Sequence, residues 1–126
     1  MNQMEIGNYC LSKPHVEETY PFGQWPICYK VAGKIFAQLY PDKITVKCTA
    51  FSGEAFRAAW PGIVVRGYHC PPVQQPYWNT IYLIRFPEDQ LPMMIDHAYE
   101  TVVGQLPKKK QKELKEHIPC PSELQQ

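Results

Sequence analysis

Hydrophobic and polar residues alternate along three consecutive stretches in the first half of the chain. Ile27, Tyr29 and Val31 alternate with Cys28 and Lys30. Ile35, Ala37 and Leu39 alternate with Lys34, Phe36, Gln38 and Tyr40. Ile44, Val46 and Cys48 alternate with Lys43, Thr45, Lys47 and Thr49. A period of two marks a strand with one face in a core. Between the first two stretches, Ala32-Gly33 predicts a tight hairpin turn in which Gly33 supplies a positive φ. Pro41-Asp42 predicts the next turn. Together these features predict a three-stranded antiparallel meander.

Elsewhere the period is helical or broken. Residues 2–12 predict a short helix with Met4 or Ile6, Cys10 and Leu11 on its apolar side, ended by Pro14. Residues 13–26 read as a proline-punctuated loop with an acidic pair. Ser52 predicts an N-cap for a helix over 53–60, with Phe56 and Trp60 on one face and Pro61-Gly62 after it. A fourth strand is expected at about 63–69 and a fifth at about 78–85, with the Pro- and Gln-rich loop 70–76 between them. The last helix, about 88–106, carries an apolar stripe of Leu91, Met94 or Ile95, Ala98, Val102 and Leu106. The order α-β-β-β-α-β-β-α predicts a two-layer α+β domain: a five-stranded antiparallel sheet with helices on one face. Residues 1–107 form that single domain. Residues 108–126 form a polar basic tail, helical or frayed over 108–117 and expected to be disordered over 119–126.

Charge adds a local signal. The chain of 126 residues has a net charge of +1, too little for a strong overall field. Residues 27–49, however, hold Lys30, Lys34, Lys43 and Lys47 against Asp42 alone. Residues 107–126 add five lysines against three glutamates. The five cysteines include no Cys-x-x-Cys pair, and the four histidines stand at no ligand spacing from them, so no metal site is expected. The first ten residues lack the basic start and apolar run of a secretory leader. With the odd cysteine number this predicts a cytoplasmic protein with reduced thiols. No apolar run approaches the roughly 20 residues that span a bilayer.

The alternation also predicts what the uncovered sheet face displays: Lys30, Lys34, Phe36, Gln38, Tyr40, Lys43, Thr45 and Lys47. Ammonium groups neutralise phosphates and release counterions, and exposed rings stack on bases. Lysines and threonines are also ordinary residues for the wet side of a sheet, where lysine discourages edge pairing. Trp78-Asn79 and His69 form a second candidate cluster, with a core Trp and a turn Asn as the ordinary alternative. Glu17 and Glu18 are adjacent on an extended segment, so their side chains point apart. A cap or a salt bridge to a strand lysine suits them better than a shared proton. No Gly-rich phosphate loop, G-x-S-x-G elbow or cysteine with an evident histidine base occurs, so neither catalysis nor a cofactor is expected.

Four fragments in order carry a family likeness: Glu17-Glu18-Thr19-Tyr20-Pro21-Phe22-Gly23, Val31-Ala32-Gly33-Lys34-Ile35-Phe36, Val46-Lys47-Cys48 and Tyr77-Trp78-Asn79-Thr80. At these spacings, over roughly residues 2–107, the chain resembles the MmcQ/YjbR family of small bacterial proteins. The resemblance implies a two-layer fold akin to frataxin-like and type III secretion chaperone shapes. It also implies a role in DNA binding through β-hairpin wings. Here the wings would include the Ala32-Gly33 hairpin and the loop between strands four and five. Two departures stand out. The neutral run Cys70 to Tyr77 replaces a basic stretch before the Trp-Asn pair, and Ala98-Tyr99 replaces a Ser-Tyr pair in the last helix.

Three readings follow. The first is a DNA-binding module using Lys30, Lys34, Lys43, Lys47, Tyr40, His69, Trp78 and Asn79. The second is a protein-interaction adaptor anchored by the proline-rich loop with Tyr77 and Trp78. The third is a small-ligand pocket near His69, Trp78 and the Glu17-Glu18 segment. The DNA-binding reading is the expectation carried forward.

Overall fold

The computed structural model describes residues 1–116. Helix α1 (Gln3–Leu11) starts where expected. Asn2 caps it reciprocally: its Oδ1 accepts from the Glu5 amide at 2.8 Å, and Glu5 Oε1 accepts from the Asn2 amide at 3.0 Å. The meander follows as β2 (Ile27–Val31), β3 (Lys34–Leu39) and β4 (Lys43–Lys47), preceded by β1 (Val16–Thr19). Helix α2 (Ala50–Ala59), β5 (Val64–Arg66), β6 (Trp78–Tyr82), α3 (Leu91–Gly104) and α4 (Lys108–Glu116) complete the order.

The α+β character and the antiparallel pairing hold, but the sheet has six strands, in the order β1-β2-β3-β4-β6-β5. The extra strand is β1, in the segment read from sequence as a loop. It pairs only with β2, setting Glu17 opposite Lys30 and Glu18 opposite Tyr29. An edge strand needs one partner and can carry charge on its exposed positions. Its four residues Val-Glu-Glu-Thr therefore show no apolar alternation. Helix α2 also starts earlier than expected. Thr49 is the cap, and Ser52 is the third helical residue, returning the bond of a capping box.

The helical face of the sheet holds the core. Ile6 and Cys10 of α1 and Met94, Ile95, Ala98 and Val102 of α3 pack on Tyr29, Val31, Ala37, Leu39, Ile44, Val46 and Ile81. A β-bulge modifies the alternation in β3. Tyr29 pairs with Ala37 but Lys30 pairs with Ile35, leaving Phe36 as the extra residue. Phe36 is thereby fully buried, edge-on to Tyr99 of α3 at 5.5 Å. The expectation that Phe36 stands on the open face is corrected by this one-residue insertion. The bulge also leaves Ile35 only half-buried beside the sheet's end.

The opposite face is less open than the alternation predicts. Its central row, Cys28, Gln38, Thr45 and Thr80, is buried. Gln38 Nε2 donates to Cys28 Sγ at 3.7 Å, and Thr45 Oγ1 donates to Gln38 Oε1 at 3.1 Å. The loop between β5 and β6 turns back on itself, with the Gly67 amide bonded to the Gln75 carbonyl and Gln75 Nε2 to the Cys70 carbonyl. Its His69 packs edge-on against Trp78 of β6 at 5.5 Å. Buried in the central row, Gln38 and Thr45 are therefore not surface residues.

Helix α4 occupies the first half of the segment expected to be a tail. Gln111 Nε2 donates to the Leu106 carbonyl at 2.8 Å, and the Leu114 carbonyl lies 2.8 Å from His15 Nε2. The expected disorder over 119–126 concerns positions outside the described residues.

Candidate functional site

The β3–β4 pairing runs only from Leu39–Ile44 to Ala37–Val46. Past that point the pairing stops, and residues at the carboxyl end of α3 stand beside the strand ends. The result is an open groove of about 520 Å³ whose lining includes Lys34, Ile35, Lys47, Trp78, Val102, Gln105 and Leu106. Three of the residues selected from sequence therefore converge: Lys34 by the hairpin, Lys47 at the end of β4 and Trp78 at the start of β6. Lys47 and Trp78 are cross-strand partners. The Lys47 ammonium stands 5.2 Å from the Trp78 ring and 5.8 Å from the Tyr77 ring.

A second cluster adjoins the first. His69 packs edge-on against Trp78 at 5.5 Å, and Lys43 lies 5.0 Å from the Tyr40 ring. Burial, helped by the Lys43 charge, holds the His69 imidazole below its ordinary range. Its Nε2 is 3.2 Å from Cys70 Sγ, but burial pushes that thiol up. At neutral pH the contact joins a thiol to a neutral imidazole, unlike the thiolate–imidazolium pair of a nucleophilic cysteine. His69 thus contributes a ring and a hydrogen-bonding group at neutral pH, not a cation.

Lys30 and Asn79 lie apart from these clusters. Lys30 faces Glu17 across the β1–β2 ladder. Asn79 is fully buried on the helical face, where Arg57 Nη1 donates to its Oδ1 at 2.7 Å and its Nδ2 donates to the Gly53 carbonyl at 3.3 Å. It pins α2 to β6 and presents nothing to solvent. The acidic pair diverges as expected of an extended segment: Glu18 accepts from the Tyr29 hydroxyl at 3.1 Å while Glu17 is exposed.

Among the described residues, carboxylates within ion-pair distance are found for the N-terminal amine with Glu88, Lys13 with Asp96 and Lys110 with Glu113. Lys30, Lys34, Lys43 and Lys47 have no such partner there. Lys43 and Lys47 lie over aromatic rings, and Lys34 is exposed. No group of three or more His, Cys, Asp or Glu among the described residues is placed to hold a metal ion. No helix there is long and apolar enough to cross a membrane. The four described cysteines are free thiols; burial raises Cys10 to about 12 and Cys48 to about 11.

Sequence reasoning did not foresee two polar pairs. His97 Nε2 lies 3.0 Å from Ser52 Oγ, with Phe56 edge-on to the same imidazole, joining α3 to the first turn of α2. Arg57 meets Asn79 from a neighbouring element. Both pairs join residues more than 20 positions apart through helix packing, and no local pattern announces such pairings.

Comparisons with known proteins agree with this architecture. The family model described as YjbR matches residues 11–101. A crystal structure of protein DR2400 from Deinococcus radiodurans, whose domain is described as DUF419, superposes with a TM-score of 0.78 at 26% identity, covering 90% of this chain and 88% of that one. A protein from Pseudomonas syringae superposes with a TM-score of 0.65 at 16% identity, covering 80% of this chain and 98% of that one, a likeness of fold alone. No curated protein matches the chain. With the matched segment spanning most of the domain, from the end of α1 through most of α3, the chain belongs to the YjbR family.

Proposed function

We propose that this protein binds DNA, and that its contact surface is the lysine–aromatic groove at the end of the sheet. The observation that carries this reading is the convergence of Lys34, Lys47 and Trp78 on one groove with no carboxylate among the described residues paired to either ammonium. A phosphate arriving there displaces water, counterions and the aromatic contacts of Lys47, but no carboxylate among the described residues. A paired lysine would first have to release its partner. Lys43 extends the cationic surface, and α4 begins two residues after the groove's Leu106 with Lys108, Lys109 and Lys110. The small net charge of +1 suits contact through a defined patch better than through a general field.

The test is fluorescence anisotropy with labelled DNA at about 50 and 200 mM salt. Binding that weakens steeply with salt supports the reading. No binding at about 10⁻⁴ M, the weak end of typical non-specific affinity, rejects it.

The adaptor reading keeps one observation of its own. The β5–β6 loop is uncharged and leaves Tyr68 and Val73 about two-thirds or more exposed. A pull-down with a Val73→Asp control tests it, and retention of every partner by the variant counts against it.

A further inference from the structure

We infer that the groove takes an unpaired nucleotide, so that the protein prefers a single strand to a duplex. This inference rests on the nucleic-acid reading above and narrows it to one class of ligand. The groove is concave, about 520 Å³, the scale of a pocket for a small molecule. A stacked base pair inside a duplex cannot enter such a recess, whereas a base in a single strand can. Ile35, Val102 and Leu106 give the recess apolar walls, and Trp78 gives it a ring. A surface reading only the duplex backbone needs neither.

The electrical asymmetry of the groove orients the ligand. Lys34 and Lys47 lie on the strand side. The opposite wall is the carboxyl end of α3, where aligned carbonyl dipoles give partial negative charge. Within the recess, a phosphate is favoured at Lys34 and Lys47. The N–H edge of a base is favoured at the helix end, where Gln105 offers a side-chain amide.

Lys47 and Trp78 supply an exchange. In the free protein the ammonium lies over the ring, at 5.2 Å. A phosphate draws the ammonium away, and the exposed ring face then receives the base. Stacking a base is the stronger contact of the two at a water-exposed site, so the exchange favours the bound state. His69, neutral and edge-on to the same ring, holds the indole in place during the exchange.

The experiment uses the full chain with an eight-nucleotide thymidine strand, its uridine RNA counterpart and a duplex of equal phosphate number. Anisotropy gives affinity, and tryptophan fluorescence gives stacking. We expect a strand to bind more tightly than the duplex and to quench fluorescence; the DNA and RNA arms show whether the 2′-hydroxyl is admitted. Trp78→Ala should weaken strand binding by about tenfold or more with little change in salt slope, and Trp78→Phe should restore most of it. Phe keeps a ring at the start of β6, so rescue separates a loss of stacking from a loss of folding. Equal binding of strand and duplex, with Trp78→Phe binding both like the parent and no quenching, overturns the nucleotide slot but leaves the DNA reading intact. Binding of none of the three overturns both.

Discussion

At position 32 the hairpin demands what its residue gives reluctantly. Ala32 has φ 51° and Gly33 φ 77°, the left-handed pair of a two-residue hairpin turn. Glycine takes this region freely, whereas for alanine it costs about 1 kcal/mol or more. Asparagine tolerates it better through local hydrogen bonds. Ala32→Asn should therefore raise stability by about 0.5–1 kcal/mol, seen as a higher urea midpoint at unchanged slope. A lowered midpoint would contradict the turn geometry. His69 gives a second prediction at this scale. Its imidazole is harder to protonate in the folded protein than in the unfolded chain, first through burial and then through Lys43. The unfolded state thus binds the proton more readily. The stabilising contribution is complete above the unfolded value of about 6.5 and is lost as pH falls through the lower folded value. Urea midpoints between about pH 7.5 and 5 should accordingly fall less for His69→Gln than for the parent. Equal falls would show that His69 titrates as it does in water.

At the scale of elements, the pin between α2 and β6 separates structure from binding. Asn79 looks from sequence like a neighbour of Trp78 on one surface, but adjacent strand residues point to opposite faces. Trp78 reaches the groove while Asn79 lies under α2, bonded to Arg57 and Gly53. Asn79→Ala leaves a guanidinium and a carbonyl short of a partner and should cost about 1–3 kcal/mol. Chemical denaturation measures that cost, while DNA affinity of the folded variant should stay at the parent value. A large drop in affinity with unchanged stability would place Asn79 in the contact surface instead. Elements also differ in how far the sequence made them legible. The meander and its Ala32-Gly33 turn could be read because alternation and turn chemistry are local. So could the apolar stripe of α3. Strand β1 could not, because an edge strand with Glu17 and Glu18 need not alternate. Nor could the bulge that turns Phe36 inward, since one inserted residue changes the facing of its neighbours without leaving a mark in composition. The burial of Gln38 and Thr45 was equally hidden, because alternation places both on the polar face and says nothing of what bonds them there.

At the scale of the whole molecule, the proposed binding depends on where charge is gathered. The chain is nearly neutral, yet Lys34 and Lys47 share one groove, Lys43 lies farther along the same strand as Lys47, and the lysines of α4 follow closely in the chain. Family membership gives the fold and its motifs, and the meeting of Lys34 and Lys47, neither ion-paired among the described residues, beside an apolar recess gives the proposed contact surface. The candidate residues read from sequence divide accordingly: Lys34, Lys47 and Trp78 meet in the groove, Lys43, Tyr40 and His69 adjoin it, Lys30 faces Glu17, and Asn79 is structural. The most direct measurement is the salt dependence of DNA affinity for the parent chain and for the Lys34→Ala/Lys47→Ala double variant. Removing one phosphate–lysine pair lowers the slope of log affinity against log salt by about 0.9 on duplex DNA and about 0.7 on a single strand. The double variant should bind more weakly than the parent, with a slope smaller by about 1.4 to 1.8. A parent that binds with the same slope and affinity as the variant would contradict the groove as the contact surface.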